Sequence, residues 1–283
     1  MKFFIYGGSG LVSSKLIEIL LSKGHSVIAG SRNPSEQKQE KNLEWVKVEA
    51  YEPKEGLNAL EKVDAAFLLS PPGYTAQYDI LYPLVAKAKE LNLKKVVLMT
   101  AMGVEFAPPE APFRKLELAL IDSGLHYAIL RPNWFMQNFN SFWIEGILKD
   151  QNIYFPGGDA VASFIDSRDI SATIAEVLTT DRFNNKEFNL TGSEAISHDQ
   201  VAKLMTDVLG KKINYVDVDP NDFLKSLLSA GLPEDYSNFL LYIAGALREG
   251  HASAINENVK KITGKDPILF KNYVKDHKET WIM

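Results

Sequence analysis

Hydrophobic and polar residues alternate in blocks through the first half of the chain. Short runs rich in β-branched and aromatic residues predict strands, and longer stretches with apolar residues at helical spacing predict helices. The predicted strands are residues 3–6, 25–31, 43–49, 64–69, 95–100 and 127–130. The predicted helices run from residue 11 to about residue 23 and over residues 56–62, 78–91 and 113–123. This alternation is typical of an α/β fold, a doubly wound Rossmann sheet of parallel strands with helices on both faces.

The pattern changes character in the second half, from about Ile153. Acidic residues at 166 and 169 precede a predicted helix that ends at Leu178, where they cap the helix or pair with Arg168. Strands are predicted at 187–190 and 213–218, around a helix over 199–209 that Ser197 caps, and the chain to residue 263 is mostly helical. We expect one domain over residues 1–152 and a smaller, mostly helical one over 153–283, with some segments of the latter returning to the Rossmann sheet.

Glycines interrupt the pattern where the first strand meets the first helix, in the segment 3–13, FFIYGGSGLVS. Glycines permit a tight turn and let phosphates approach free backbone N–H groups at the positive end of a helix. The pattern fits Gly7-x-x-Gly10-x-x-Ser13 and Gly8-x-Gly10-x-x-Ser13, and the third position is in both cases a small serine. An ordinary strand-to-helix turn is the alternative. The strand before and the helix after favour a dinucleotide pyrophosphate site.

The end of the second strand indicates which dinucleotide would bind. An acidic residue there would bind the ribose 2′-hydroxyl of NAD(H), but this chain has Ser31, Arg32 and Asn33. The guanidinium of Arg32 suits a 2′-phosphate, and its neighbours are added donors. A solvated surface arginine is the alternative reading. The loop favours NADP(H).

Two further loops follow strands of the predicted sheet, at the edge where ligands bind. The segment 69–73, LSPPG, has a rigid backbone that either lies along the cofactor or merely ends the strand. The segment 100–103, TAMG, retains one hydroxyl, on Thr100, where reductases of this class often hold one near the nicotinamide. Thr100 is therefore the candidate catalytic residue.

The proton-donor pair of many such reductases, Tyr-x-x-x-Lys, occurs nowhere in this chain. In that pair the charge of the lysine lowers the pKa of the tyrosine. The nearest candidate region has Lys115 but carries Ala111 at the tyrosine position. Cofactor binding is therefore better supported by the sequence than any particular proton donor.

Composition excludes several other classes. The net charge of −5 disfavours a nucleic-acid surface, and the lack of cysteine excludes disulfides, thiolate metal sites and a cysteine nucleophile. The five histidines have no ligand spacing, so we expect no metal site and interpret each as a surface or satisfied side chain. No apolar window is long enough to span a membrane, and no signal peptide is recognised, so a cytoplasmic protein is expected.

Aromatic residues cluster between residues 134 and 143, at Trp134, Phe135, Phe139, Phe142 and Trp143. They either line an apolar pocket or form part of a core, and aromatics at such spacing are more often core.

Nearly the whole chain resembles the NmrA-like atypical short-chain dehydrogenase/reductases. The resemblance rests on the glycine turn, Arg32 and the segments VDAAFLLSPP (63–72), ELALIDSGL (117–125), LRPNWFMQN (130–138) and DSRDI (166–170). Relatives of this type include type 2 NAD(P)H:quinone oxidoreductases, agroclavine dehydrogenases and the NADP-sensing regulator that names the family. These proteins commonly lack the Tyr-Lys pair. The resemblance implies a Rossmann domain followed by a smaller substrate domain.

The resemblance also implies roles for individual residues. Those expected to contact NADP(H) are Gly7, Gly8, Ser9, Gly10, Leu11, Val12, Ser31, Arg32, Asn33, Leu69, Ser70, Pro71, Thr100, Pro132, Asn133 and Trp134. Those expected to contact substrate are Met102, Phe135 and Phe139. The loop from Pro132 to Phe135 is expected to close over the nicotinamide.

Two functions from different classes fit these features. The first is an NADPH-dependent oxidoreductase that transfers hydride to a small unsaturated acceptor, such as a quinone, a conjugated carbonyl or an iminium ion. The second is a non-catalytic NADP(H) sensor of the NmrA type. The sequence favours the enzyme, acting as a monomer or homodimer on a small molecule without binding nucleic acid or membrane.

Overall fold

The computed structural model describes residues 1–282. The strands are β1 (Lys2–Ile5), β2 (Ser26–Ser31), β3 (Leu43–Lys47), β4 (Ala65–Leu69), β5 (Lys95–Met99), β6 (Tyr127–Pro132), β7 (Asn152–Tyr154), β8 (Val161–Ala162), β9 (Lys186–Leu190), β10 (Ile196–Ser197) and β11 (Asn214–Val216). The helices are α1 (Leu11–Ser22), α2 (Lys54–Leu60), α3 (Gln77–Glu90), α4 (Pro112–Ile121), α5 (Ile144–Asp150), α6 (Ser167–Thr179), α7 (His198–Leu209), α8 (Pro220–Ser229), α9 (Glu234–Arg248), α10 (Asn258–Thr263) and α11 (Phe270–Asp276).

The chain forms two compact units, each assembled from separate segments. The first contains Met1–Pro132 and Ile170–Asn189, and the second contains Asn133–Asp169 and the chain from Leu190 onward. The division thus falls after Pro132, whereas the sequence predicted a boundary after residue 152. The segment between these positions belongs to the second unit because Phe139, Trp143 and Ile147 are buried in its core.

The first unit is built on a seven-stranded sheet in the order β3-β2-β1-β4-β5-β6-β9. The predicted α/β Rossmann architecture is confirmed, and the strands from β1 to β6 pair in parallel. The central strands are near-continuous apolar runs because both faces of a parallel sheet are covered by helices. Chain order reverses between β1 and β4, so the ligand site of such a fold is expected at the carboxyl ends of these strands.

The segment from Ile170 to Asn189 joins the first unit through α6 and β9. The buried ammonium of Lys95, at the start of β5, donates to the carbonyls of Val177 (3.0 Å) and Thr180 (2.5 Å). Nearer the start of α6, the Ser171 hydroxyl donates to the Val12 carbonyl at 2.8 Å. These bonds fix α6 against both a strand and the helix that follows the glycine turn.

The second unit is mostly helical around two short sheets, β10 with β8 and β11 with β7. Its core contains a group of aromatic side chains together with apolar residues of α7, α8, α9 and α11. The predicted cap of α7 is confirmed, because the Ser197 hydroxyl accepts from the Gln200 N–H while the Gln200 side chain accepts from the Ser197 N–H. This reciprocal capping box fixes where α7 begins.

Candidate cofactor and active site

The glycine turn lies between β1 and α1, at the carboxyl end of a central strand. Gly7 has a φ of +71°, which favours glycine, and the N–H of Gly10 donates to the carbonyl of Gly7 at 3.0 Å. The N–H of Gly8 donates to the carbonyl of Gly30 at 2.7 Å, which ties the turn to the end of β2.

Close contacts with neighbouring atoms explain why positions 8 and 10 are also glycine. A Cβ on Gly8 would lie 2.7 Å from the Ala29 Cβ and 3.0 Å from the Trp45 ring, and a Cβ on Gly10 would lie 3.1 Å from the Gly7 carbonyl oxygen. Both ways of aligning the glycine pattern therefore contain glycines with a structural role. Gly7 adopts a positive φ, and Gly8 and Gly10 lie close to neighbouring atoms.

The N-terminus of α1 is left open for an anion. Its cap residue, Gly10, has no side chain to accept from the first N–H groups of the helix, and the first turn carries no acidic residue. Leu11 is 52% exposed, whereas the Ser13 side chain is buried without a hydrogen-bond partner among the described residues. Free N–H groups, the helix dipole and a turn with three glycines fit a dinucleotide pyrophosphate.

The loop after β2 presents the predicted phosphate-binding residues. Arg32 is exposed and makes no ion pair with residues 1–282. The Ser31 hydroxyl is buried, accepts from the Asn33 N–H at 3.2 Å and lies 3.4 Å from the Ser9 hydroxyl. The Asn33 side-chain amide donates to Glu36 at 3.2 Å. The loop therefore offers a free guanidinium beside an ordered Ser31, and the Asn33 amide is already engaged.

The end of β4 lies beside the glycine turn. The Gly7 Cβ position is 4.0 Å from the Leu69 carbonyl oxygen, and the Tyr6 N–H donates to the Phe67 carbonyl at 3.0 Å. Leu69 and Pro71 are partly buried, and Ser70 is 8% exposed. The structure thus brings the glycine turn and residues 69–71 together at the switch point of the sheet.

Thr100, the candidate catalytic residue, donates its hydroxyl hydrogen to Glu117 Oε1 at 2.7 Å. Both side chains are buried, Glu117 completely. The hydrogen of this hydroxyl is engaged, and only its lone pairs remain available to other groups. Catalysis by Thr100 stays a prediction.

Sequence reasoning missed the buried ion network around Glu117. The Glu117 carboxylate accepts from Arg131 Nε and one terminal nitrogen, both at 2.8 Å, and from Arg114 at 2.9 Å. Arg131 also pairs with Glu187, and burial alone would lower its pKa, but the hydrogen bonds and charge of Glu117 raise it overall. The sequence does contain a signal for this network. Glu117 lies on an apolar helix face and Arg131 in an apolar strand, and charged side chains in such positions are buried only when they are paired.

A second part of this network supports the turn after β5. Glu105 accepts from the Gly103 N–H at 2.9 Å and from the Asn189 side chain at 2.6 Å, and it lies 3.7 Å from Arg131. Met102, a predicted substrate contact, is partly buried, and its N–H donates to the Pro132 carbonyl at 3.1 Å. The network thus fixes the loop that carries Thr100 and Met102.

The remaining predicted site residues belong to the second unit. The Asn133 amide donates to the Ser163 hydroxyl at 2.7 Å and to the Ala252 carbonyl at 2.8 Å, while its oxygen accepts from the Trp134 N–H. Trp134 and Phe135 are partly buried. Phe139 is 0% exposed, so the structure gives this predicted substrate contact a packing role.

The histidine interpretation was wrong for His198. Its side chain is completely buried and neither ring nitrogen has a hydrogen-bond partner among the described residues, so it is neither exposed nor satisfied. Aromatic rings surround it, with centroids 4.8 Å away at Phe155, 5.2 Å at Trp143 and 5.4 Å at Tyr215. Burial lowers the pKa of His198 to about 3.

Acid should therefore destabilise the protein through His198. The unfolded chain takes up this proton below its ordinary pKa of about 6.5, whereas the folded chain does not, so stability falls as pH falls through this range. Between pH 7 and pH 5 the wild type is expected to lose about 2 kcal/mol more than His198→Phe in urea unfolding.

A control and a direct titration accompany this measurement. His126→Gln changes an exposed histidine and should retain the wild-type pH dependence. Equal pH dependence in the wild type and His198→Phe, or an NMR signal of His198 that titrates near pH 6.5, would show that the imidazole is not buried as described.

Within residues 1–282, no three His, Cys, Asp or Glu side chains are grouped to hold a metal ion. Over the same described range, no helix has both the length and the apolar character to cross a membrane. The aspartate at 166 accepts from the backbone N–H of Arg168 at the start of α6 and from the Arg168 guanidinium, so it does both what the cap and what the arginine pair predicted.

Known proteins resemble this chain in sequence or in fold. The chain is 27% identical over 281 residues to prestalk A differentiation protein A of Dictyostelium discoideum, covering 98% of this chain and 92% of the relative. It is 28% identical over 292 residues to agroclavine dehydrogenase of Claviceps fusiformis, covering 100% and 99%. The structure of an NADPH-dependent quinone oxidoreductase of Escherichia coli in complex with NADPH superposes with a TM-score of 0.84 at 20% identity, covering 97% and 99%. The NmrA-like family model matches residues 2–262, and the chain therefore belongs to the NmrA-like family.

Proposed function

We propose that this protein transfers hydride from NADPH to a small unsaturated acceptor. The broader class, an NAD(P)H-dependent oxidoreductase, rests on relatives such as the agroclavine dehydrogenase. The observation that carries the proposal is the open N-terminus of α1, which follows a turn where a Cβ on Gly8 would lie 2.7 Å and a Cβ on Gly10 3.1 Å from the nearest atom. Quinones, conjugated carbonyls and iminium ions are the proposed acceptors.

Residues of the first unit would hold the cofactor in a fixed orientation. The N–H groups at the start of α1 would bind the pyrophosphate, Arg32 and Ser31 the 2′-phosphate, and Leu69 to Pro71 the adenosine or the linking ribose. Thr100 would accept a hydrogen bond from the nicotinamide ribose, because its own hydrogen is donated to Glu117. The bound nicotinamide supplies the hydride, and this chain supplies orientation and exclusion of water.

Contacts with the acceptor are proposed for Met102 and Phe135, which are both partly buried. Asn133 and Trp134 remain proposed nicotinamide contacts, with the Asn133 side chain setting the backbone of its own loop. Phe139 would act only through the packed core of the second unit, because its ring is completely buried there.

Changing Arg32 to aspartate should reverse the choice of cofactor. The exposed guanidinium is free to pair with a 2′-phosphate, whereas an aspartate would repel it and accept from a 2′-hydroxyl. We expect Arg32→Asp to weaken NADPH binding by about 10²-fold in calorimetric titration and to change NADH binding much less. Arg182→Asp, a second exposed arginine, is the control. Equal losses for both cofactors would contradict the assignment.

Turnover is tested by following NADPH oxidation with a panel of quinones, enals, enones and cyclic iminium ions. The proposal predicts turnover with at least one acceptor and a preference for NADPH over NADH. The sensor alternative predicts micromolar NADPH binding without turnover and a partner that distinguishes NADP⁺ from NADPH.

A further inference from the structure

Lys115 occupies the position of the lysine in a Tyr-x-x-x-Lys pair, but its tyrosine is missing. The N–H of Lys115 donates to the carbonyl of Ala111 at 2.8 Å, so these residues are one helical turn apart at the start of α4. The methyl group of Ala111 offers no proton. A phenol beside this lysine must come from elsewhere in the fold.

The structure supplies such a phenol from α3. The Lys115 ammonium lies over the face of the Tyr78 ring, 4.1 Å from its centroid. Tyr78 is the second residue of α3, and the α3 and α4 helices pack against each other. The two residues are far apart in sequence, so no motif would reveal them.

The pair lines a cavity of about 320 Å³ at the edge of the sheet where ligands bind. Thr75 and Ala76 line it from the loop after β4, and Glu110 from the loop after β5. These strands are parallel neighbours, so their following loops lie at the same edge as the glycine turn. The volume is within the range of small-ligand pockets.

We propose that Tyr78 and Lys115 form the proton-donating pair of this reductase, assembled from two helices around this cavity. The inference rests on the proposed reductase function and extends it to acceptors whose reduction needs a proton. Tyr78 would be the catalytic residue and Lys115 the residue that stabilises its conjugate base.

For a conjugated ketone, the hydride that NADPH would supply would form a C–H bond at the β-carbon. The C=C π electrons would move to the bond between the α-carbon and the carbonyl carbon, and the carbonyl π electrons would move to oxygen to give an enolate. The O–H bond of Tyr78 then breaks, and its proton is taken up by the enolate. The phenolate that remains is stabilised by the Lys115 cation and regains a proton from solvent. Partial burial and Tyr82 raise the pKa of Tyr78, so the phenol carries its proton at neutral pH.

An iminium ion is the matched substrate control, because hydride addition to an N-methyl cyclic iminium gives a neutral amine without a proton. Tyr78→Phe keeps the ring and its contact with Lys115 but removes the donor. We expect kcat for an enone to fall by about 10²-fold, while kcat for the iminium, the NADPH dissociation constant and the Tm stay unchanged. Tyr242→Phe makes the same change on an exposed tyrosine of α9, outside the cavity lining, and should leave all four quantities unchanged.

A titration of the protein without cofactor tests the pair independently of activity. The charged and titratable groups around the Tyr78 phenol are Asp79 and Tyr82 on α3 and Glu110 and Lys115 from the α4 side. In ¹³C-tyrosine NMR spectra assigned with Tyr78→Phe, Lys115→Met should move the Tyr78 titration to higher pH, because it removes the cation that lies over the Tyr78 ring.

The possible results separate the two proposals. If the wild type reduces an enone and Tyr78→Phe reduces it equally fast, the pair is overturned and the reductase function stands. If the wild type reduces no acceptor at all, both are overturned. An unchanged Tyr78 titration in Lys115→Met would also overturn the pair.

Discussion

Replacing Gly8 with alanine is expected to weaken NADPH binding by about 10²-fold and to lower the stability of the protein. The new Cβ would lie 2.7 Å from the Ala29 Cβ, 3.0 Å from the Trp45 ring and 3.3 Å from the Ala29 Cα, and backbone atoms cannot move aside cheaply. Overpacking of this kind costs about 1–3 kcal/mol. Relief of the contact would displace the N–H groups that we propose bind the pyrophosphate, and losing one or two hydrogen bonds to a charged group would account for the lost affinity.

Gly245→Ala is the matched control. Gly245 lies within α9, has no atom within 4 Å of its Cβ position and does not have a positive φ. Alanine is favoured over glycine in a helix, so this variant should be as stable as the wild type or more stable by about 0.5–1 kcal/mol. Calorimetry gives the NADPH affinity and urea unfolding the stability. Normal NADPH affinity in Gly8→Ala would mean that the turn is not the pyrophosphate site.

Glu117→Ala should cost about 3–5 kcal/mol of unfolding free energy, the largest effect on stability that we predict. Glu117 is 0% exposed and Arg131 is 4% exposed, so removal of the carboxylate leaves a buried guanidinium without its main partner. The Thr100 hydroxyl loses its acceptor in the same variant. The loop after β5 should therefore also lose order, and NADPH affinity should fall.

Two further variants make this measurement specific. Glu117→Gln keeps the shape and one acceptor oxygen, so it should lose less stability than alanine. Glu145→Ala breaks the exposed pair of Glu145 with Lys149 on α5 and should have no measurable effect, since solvent screens such pairs. A loss below about 1 kcal/mol in Glu117→Ala would contradict a buried, charge-paired network.

The parts of this protein that sequence predicted well are those set by neighbours along the chain. The glycine turn depends on the dihedral angle of Gly7 and on the strand and helix that adjoin it, and the glycines and the two flanking patterns all occur within residues 3–13. The capping box of α7 is equally local, because Ser197 and Gln200 are three residues apart.

The parts that sequence missed depend on contacts between distant segments. Glu117 lies on a helix and Arg131 on a strand, and the sequence pattern of neither element predicts that these two side chains pair. His198 opens a helix, where a polar residue is ordinary, and only the packed rings around it show that the side chain is buried. Tyr78 and Lys115 meet because α3 and α4 are neighbours.

The position of the boundary between the two units also depends on contacts between distant segments. Apolar periodicity could not tell which core the segment after Pro132 would join, because Phe139 and Trp143 suit either one. The same ambiguity applies to aromatic side chains read as pocket residues, since a periodic pattern indicates burial but not the partner that covers the ring.

Transfer of a labelled hydride tests the central claim most directly. NADPH carrying deuterium at C4 would be incubated with the protein and with the acceptor that supports the fastest turnover, and the product analysed by mass spectrometry. We expect one deuterium per product molecule from one of the two C4 epimers of the cofactor and none from the other, because a cofactor held in a fixed orientation presents one face to the acceptor. Tight binding of NADPH without transfer of label to any acceptor would contradict the account and leave a cofactor sensor in its place.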